Sequence, residues 1–140
     1  MPADFIDSNV FVYLFDEVDD RKRGIAESLV SRALETRQAG ISYQVAQETL
    51  NVITRKLAAP ATPEDAGRFL DHVLTPLWQV TPSPALYQRG LALQARYRFS
   101  FYDALVVAAA QEAGCTRLYS EDLQHGQQID GLTIENPFLR

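Results

Sequence analysis

The sequence predicts an α/β protein, a three-layer α/β/α sandwich around a mostly parallel sheet of about five strands. Three observations predict it. Short apolar, β-prone pieces at residues 4–6, 41–43, 77–81, 116–119 and 132–134 alternate over most of the chain with helical patterns, as in parallel sheets joined by crossover helices. The stretch 104–110 is apolar on every side, which suits a helix buried between layers. No repeat, low-complexity tract or linker divides the 140 residues, so a single domain over 1–140 is expected. At that length a chain buries about 68% of its unfolded surface, enough for one core without staples.

The elements follow in order. Residues 4–6 form the first strand, and Asp16-Glu17-Val18-Asp19-Asp20 before Arg21-Lys22-Arg23 reads as a solvated loop leading into a helix. Leu29, Ala33 and Leu34 recur at helical spacing across 26–39, with Gly40 where a C-cap belongs. After the strand at 41–43, Ala46, Leu50, Ile53 and Leu57 form one helical stripe that ends before Pro60. Thr62 then reads as an N-cap, with Pro63 at the first helical position and Asp65 closing a capping box. The apolar face of that helix is Ala66, Phe69, Leu70, Val73 and Leu74, with His72 on its polar side. Beyond the strand at 77–81, Ser83-Pro84 starts a helix through Leu86, Leu93 and Tyr97. Ser100 starts the last long helix, which Gly114 ends. A polar connection over 120–131 leads to the final strand at 132–134.

Composition excludes several functions. Thirteen basic against eighteen acidic residues give a net charge of −5, which argues against gripping nucleic acid by bulk positive charge. It leaves open a protein that meets phosphate through metal ions. The single cysteine, Cys115, rules out an internal disulfide and argues against a thiolate zinc site; its place after a helix end marks a small core residue. His72 and His125 have no partner at metal-ligand spacing. No basic leader opens the chain, and 104–110 is far shorter than the roughly 20 residues that span a bilayer. A cytoplasmic protein without membrane association is expected.

The chemistry lies in the placement of acids. Asp7 closes the first strand, Asp122 follows the fourth, and Asp103 stands in the first turn of the central helix. In a parallel sheet, strand carboxyl ends and helix N-termini meet at one edge, where such folds bind ligands. Glu48 follows the second strand and is flanked by Val45 and Val52 at helical spacing. Each acid has a simpler role open to it. Ser100 and Asp103 can form a capping box, Asp7 can cap a helix starting at Ser8, Asp122 can sit in a turn, and Glu48 can reach solvent. Like charges gathered at one edge repel, and a divalent cation removes that objection, since Mg²⁺ and Mn²⁺ prefer oxygen ligands.

These blocks resemble the PIN-domain ribonucleases, specifically VapC-type toxins of bacterial toxin–antitoxin pairs, over nearly the whole chain. Phe5-Ile6-Asp7-Ser8-Asn9-Val10 is similar to the family's opening motif, and Gln47-Glu48 to its second acidic block. Phe101-Tyr102-Asp103-Ala104-Leu105 is similar to the third, and Leu118-Tyr119-Ser120-Glu121-Asp122-Leu123 to the fourth. Gln124-His125-Gly126-Gln127 and Glu135-Asn136-Pro137-Phe138 are also typical. Each motif is short; their order and spacing together are specific.

The resemblance implies a Mg²⁺- or Mn²⁺-dependent endoribonuclease that cuts structured RNA, such as a tRNA or rRNA loop, with water as nucleophile. It implies that Asp7, Glu48, Asp103 and Asp122 are both metal ligands and catalytic residues, with Asp122 and not Glu121 as the fourth acid. Asn9 and Ser120 would orient ligands or the scissile phosphate. It further implies a cognate antitoxin as partner and a homodimer, for which the first two long helices offer apolar surface. Arg96 and Arg98 can contact the RNA backbone or simply end a solvated helix. Two rivals remain. A phosphotransferase of the haloacid-dehalogenase type would need a second Asp in place of Asn9 and a lysine near the last acids, whereas Lys22 and Lys56 are the only lysines. An inactive PIN-like interaction module would be favoured by loss of one of the four acids, and all are present.

Overall fold

The protein is described here as a computed structural model covering residues 2–140. Strand β1 (Asp4–Ile6) runs into a short helix α1 (Ser8–Val12), extended by a 3-10 turn at Tyr13–Phe15, and then into α2 (Asp20–Thr36). Strand β2 (Ala39–Ser42) and α3 (Tyr43–Arg55) follow, then α4 (Pro63–Phe69), a widened π-turn at Leu70–Leu74 and the single turn α5 (Thr75–Leu77). Next come β3 (Trp78–Val80), α6 (Pro84–Tyr97), α7 (Phe101–Glu112) and β4 (Arg117–Tyr119), with β5 (Gln128–Ile129) and β6 (Leu132–Glu135) last.

The six strands lie in the order β3-β2-β1-β4-β6-β5, parallel throughout except for the β5–β6 hairpin. From β1 through β2 to β3 the chain steps one way across the sheet, then crosses back to the far side of β1 for β4. Right-handed crossovers therefore put α2 and α3 on one face and α6 and α7 on the other. Helices α2 and α7 both pack on β2, which is buried at all four positions. Helix α7 is buried without interruption from Ala104 to Ala110, as an all-apolar helix requires.

Several expectations need correction. The sheet has six strands because Asp130 and Gly131, with φ of 49° and 89°, make the left-handed two-residue turn of a tight hairpin and pair β5 with β6. Gly40 does not cap a helix. Helix α2 ends at Arg37 in the left-handed region, and Gly40 lies inside β2, where a Cβ would meet Gln79 Cγ at 2.7 Å. The apolar face of 66–74 is not one continuous α-helix. The ladder widens just before Pro76, whose ring cannot accommodate the carbonyl four residues back.

Thr62 caps α4 by accepting from the Asp65 amide at 3.1 Å, but the Asp65 carboxylate pairs with Arg68 and so does not close a capping box. The acidic run is only partly solvated loop. Asp16 accepts from the amides of Val18 and Asp19, Asp19 caps α2 through the Lys22 amide, and Lys22 is half-buried against Glu121. Nor do α2 and α3 offer an apolar outer surface. Among the described residues the exposed large hydrophobic side chains are Val18, Trp78, Tyr87, Leu91, Tyr102 and Leu139, none of them on those helices. Cys115 is buried as expected, and no described helix is long and apolar enough to cross a membrane.

Candidate active site

The sheet's connectivity reverses direction between β1 and β4, and a crevice opens beyond the carboxyl ends of such strands. The first residues past those ends are Asp7 and Ser120. The Asp7 amide donates to Tyr119 O at 2.9 Å, carrying the β1–β4 pairing one step past its last register pair, Ile6 with Tyr119. Its carboxylate caps α1, accepting from the Ser8 amide at 2.8 Å through Oδ1. The other oxygen, Oδ2, accepts from Ser120 Oγ at 2.7 Å and from Asn9 Nδ2 at 3.3 Å. Capping and site-building are thus the same geometry, because a helix starting directly at a strand end turns its cap toward the crevice.

Asn9 ties the two strand ends together. Its Nδ2 also donates to Asp122 Oδ2 at 3.1 Å, and its Oδ1 accepts from the Glu121 amide at 3.1 Å. Ser120 is fully buried, and its Oγ accepts from the Asp122 amide at 3.2 Å. Glu48 arrives from α3, with Ser8 Oγ donating to Oε2 at 2.9 Å and Gln44 Nε2 donating to Oε1 at 2.8 Å. The same Gln44 amide reaches Tyr102 O at 3.0 Å, linking α3 to the first turn of α7 beside Asp103. Asp103 is half-exposed, and Ser100 Oγ accepts from its backbone amide at 3.1 Å. The capping of α7 therefore holds as well.

Asp7 and Asp103 each feel the charges of Glu48 and Asp122. Burial pushes the Asp7 carboxyl up to about 7, against the pull of the Ser120 and Ser8 hydrogen bonds, and the charges of Glu48 and Asp122 add to the rise. Burial also raises Asp103, opposed by Ser100 and reinforced by Asp122 and Glu48. Among the described residues none of the four forms an ion pair with a basic side chain. Their oxygens are nonetheless held apart by the donors of Ser8, Asn9 and Ser120. No three His, Cys, Asp or Glu among the described residues stand close enough to form a ready set of metal ligands. The chemistry of the donor set still fits a hard divalent cation: oxygen only, partly buried, and mutually repelling without a cation.

The neighbours of the four acids face other partners. Glu121 points away, with Oε2 2.6 Å from Lys22 Nζ and Oε1 accepting from Tyr13 OH at 2.5 Å, leaving Asp122 on the Asn9 side. Arg96 lies toward Asp130 at 3.4 Å and over the Tyr97 ring, while Arg98 is the left-handed C-cap of α6. His125 accepts from the Asn136 amide and takes no part in the acid cluster. Sequence reasoning missed Ser8 and Gln44. Ser8 sits between Asp7 and Asn9, and Gln44 is one helical turn before Glu48, so a polar residue at that spacing was the available signal.

The family model for the PIN domain matches residues 5–128. Among solved structures the chain is similar to a toxin–antitoxin complex from Klebsiella pneumoniae, at 19% identity and a TM-score of 0.70 over 95% of this chain and 96% of that one. It is also similar to VapC20 of Mycobacterium tuberculosis, a sarcin–ricin loop cleaving toxin, at 21% identity and a TM-score of 0.61 over 85% and 89%. A third, VapBC2 from Rickettsia felis bound to a DNA fragment from its promoter, matches at 16% identity and a TM-score of 0.65 over 95% and 97%. At these identities the structural likenesses establish the fold. No curated protein matches. The family match runs from Phe5 in β1 to the first residue of β5 and takes in all four acid-bearing segments, so the chain belongs to the PIN domain family.

Proposed function

We propose that this PIN domain is a Mg²⁺- or Mn²⁺-dependent endoribonuclease and the toxin of a VapC-type toxin–antitoxin pair, cutting a tRNA or rRNA at a single-stranded site. The observation that carries the reading is the buried Asp7 carboxylate past the end of β1, hydrogen-bonded to Ser120 and Asn9, with Asn9 reaching on to Asp122 and Ser8 to Glu48. Asp7 and Asp103 would be the most direct ligands, with Glu48 and Asp122 completing the set. The ion, when bound, lowers the pKa of a water and neutralises charge on the phosphate. The chain's own residues do the rest. Ser8 and Gln44 hold Glu48 toward Asp7, Asn9 and Ser120 orient Asp7 and Asp122, and the Asn9 and Ser120 donors can turn to a phosphate oxygen. No Ser, Cys or His nucleophile is required.

The reading includes a cytoplasmic location, an antitoxin that covers the acidic crevice, and a homodimer. Exposed Tyr87 and Leu91 on α6 and Tyr102 on α7 offer apolar surface for such contacts. The spacing of the acids by intervening donors is the one feature that favours the rival, an inactive interaction module. Induced expression in a bacterium tests the choice. Wild type should arrest growth, and Asp103→Asn at equal soluble level should not. Arrest that survives Asp103→Asn would exclude the nuclease reading, and harmless expression of soluble, RNA-cleaving protein would exclude the toxin role.

A further inference from the structure

Of the two acids on the loop after β4, Glu121 is the one that faces away from the crevice, and it has a basic partner. Lys22 Nζ on α2 lies 2.6 Å from Glu121 Oε2, Tyr13 OH donates to Oε1 at 2.5 Å, and Lys22 donates to Tyr13 OH at 3.1 Å. Aromatic faces cover this triangle. Lys22 Nζ stands 4.9 Å from the Tyr13 ring centroid and 5.8 Å from that of Phe138, and the two rings are 4.7 Å apart. Next to it, Arg21 donates to Phe138 O at 2.8 Å. The Lys22 and Glu121 side chains are each 25% exposed, so solvent screens the pair less than one on the open surface.

The same loop is gripped from the crevice side through its backbone. The Glu121 amide donates to Asn9 Oδ1 at 3.1 Å and the Asp122 amide to Ser120 Oγ at 3.2 Å. Adjacent side chains on such a loop leave it in different directions. Holding Glu121 outward on α2 and the turn after α1 therefore sends Asp122 inward, to within 3.1 Å of Asn9 Nδ2. We propose that Lys22 and Tyr13 form a latch on Glu121 that sets the loop at 120–122, which makes Lys22 a positioning residue for Asp122. Without the latch, Glu121 would be a further uncompensated carboxylate on a loose loop, competing with Asp122 for the crevice. The consequence for metal binding rests on the proposed role of Asp122 as a ligand; the latch itself does not.

The test uses the full chain as wild type, Lys22→Met, Tyr13→Phe and Lys22→Arg, each held well below its melting temperature. Mn²⁺ affinity is measured by calorimetry, and amide hydrogen exchange at 120–123 by NMR. Lys22→Met should weaken Mn²⁺ binding by about tenfold or more, the usual cost of losing a group that orients a ligand. It should also speed exchange at the Glu121 and Asp122 amides and leave α7 unchanged. Tyr13→Phe, which removes one hydrogen bond and keeps the ring, should do the same to a smaller extent and carries the test if Lys22→Met does not fold. Lys22→Arg, which keeps a charged donor, should recover most of both. Unchanged Mn²⁺ affinity and unchanged loop exchange, with only a lower melting temperature, would overturn the proposal. If wild type binds no Mn²⁺, the metal reading fails and exchange alone decides. Acceleration confined to the loop upholds the latch, and unchanged exchange refutes it.

Discussion

Asp7→Asn should stabilise the metal-free protein above neutral pH and give no stabilisation in acid. The Asp7 carboxyl titrates near 3.8 in the unfolded chain and at about 7 when buried beyond β1. The folded state therefore holds a proton that the unfolded state has released, and stability falls as pH rises between those two values. Below the lower value both states are protonated and the penalty vanishes; above the upper one it is complete. Three units at about 1.36 kcal/mol each give a penalty of about 4 kcal/mol. The amide recovers it at some cost. Asparagine can still accept from the Ser8 amide, and the Ser120 hydroxyl can rotate to accept, but its NH₂ meets Asn9 Nδ2 donor to donor, costing about 1 kcal/mol. Losing the anionic cap of α1 costs a few tenths more.

The net expectation at pH 8 is a gain of about 2–3 kcal/mol, a rise of roughly 5–10 °C in melting temperature for a chain of this length. Near pH 4 the mutant should match wild type or fall about 1 kcal/mol below it. Thermal and urea melts of both proteins in EDTA at the two pH values measure this. A mutant that is less stable at pH 8, or shifted equally at both pH values, would refute the claim that Asp7 carries an uncompensated buried charge.

Other outcomes follow from the same geometry. Asp103→Asn should raise the melting temperature in EDTA near pH 7, since the charged form is the disfavoured one, and should erase most of the gain from Mn²⁺. For wild type that gain is about 2.7 kcal/mol at a hundredfold excess over Kd, whereas a mutant still stabilised normally by Mn²⁺ would confine Asp103 to capping α7. Burial pushes the Cys115 thiol up to about 12, so it should resist a thiol reagent at pH 8 in the folded protein and react at once in urea; equal rates would contradict its burial. Gly40→Ala should destabilise by about 1–3 kcal/mol, because the new Cβ must displace Gln79; a neutral effect in a urea melt would show that this side chain yields freely.

What could be read in the sequence were features set by local chemistry. Asp7, Ser120 and Asp122 follow apolar strand segments, and in a parallel sheet that alone sends them to one edge. Thr62, Ser83 and Ser100 were recognisable as caps, and each accepts from the amide three residues on. The all-apolar stretch at 104–110 announced a central helix. What escaped depends on contacts distant in sequence or on very short elements. Gly40 looked like a helix terminator, but its reason is Gln79 on the neighbouring strand. Asp130-Gly131 is a recognisable hairpin turn, yet a two-residue strand before it gives almost no periodicity to detect. Lys22 and Glu121 lie in charge-rich segments that individually resemble plain surface. Only the packing of α2 beside the loop after β4 gives the pair its meaning.

The central claim is that four acids from β1, α3, α7 and the loop after β4 act together on RNA through a divalent ion. Its most direct measurement is cleavage of a structured RNA by purified wild type and Asp7→Asn, each with Mn²⁺ and with EDTA. The account predicts cleavage by wild type in Mn²⁺ only, and a loss of about 100-fold or more in a folded Asp7→Asn protein, since even ligand-orienting groups cost 10–100-fold. Equal cleavage in EDTA, or full activity in Asp7→Asn free of contaminating nuclease, would contradict it.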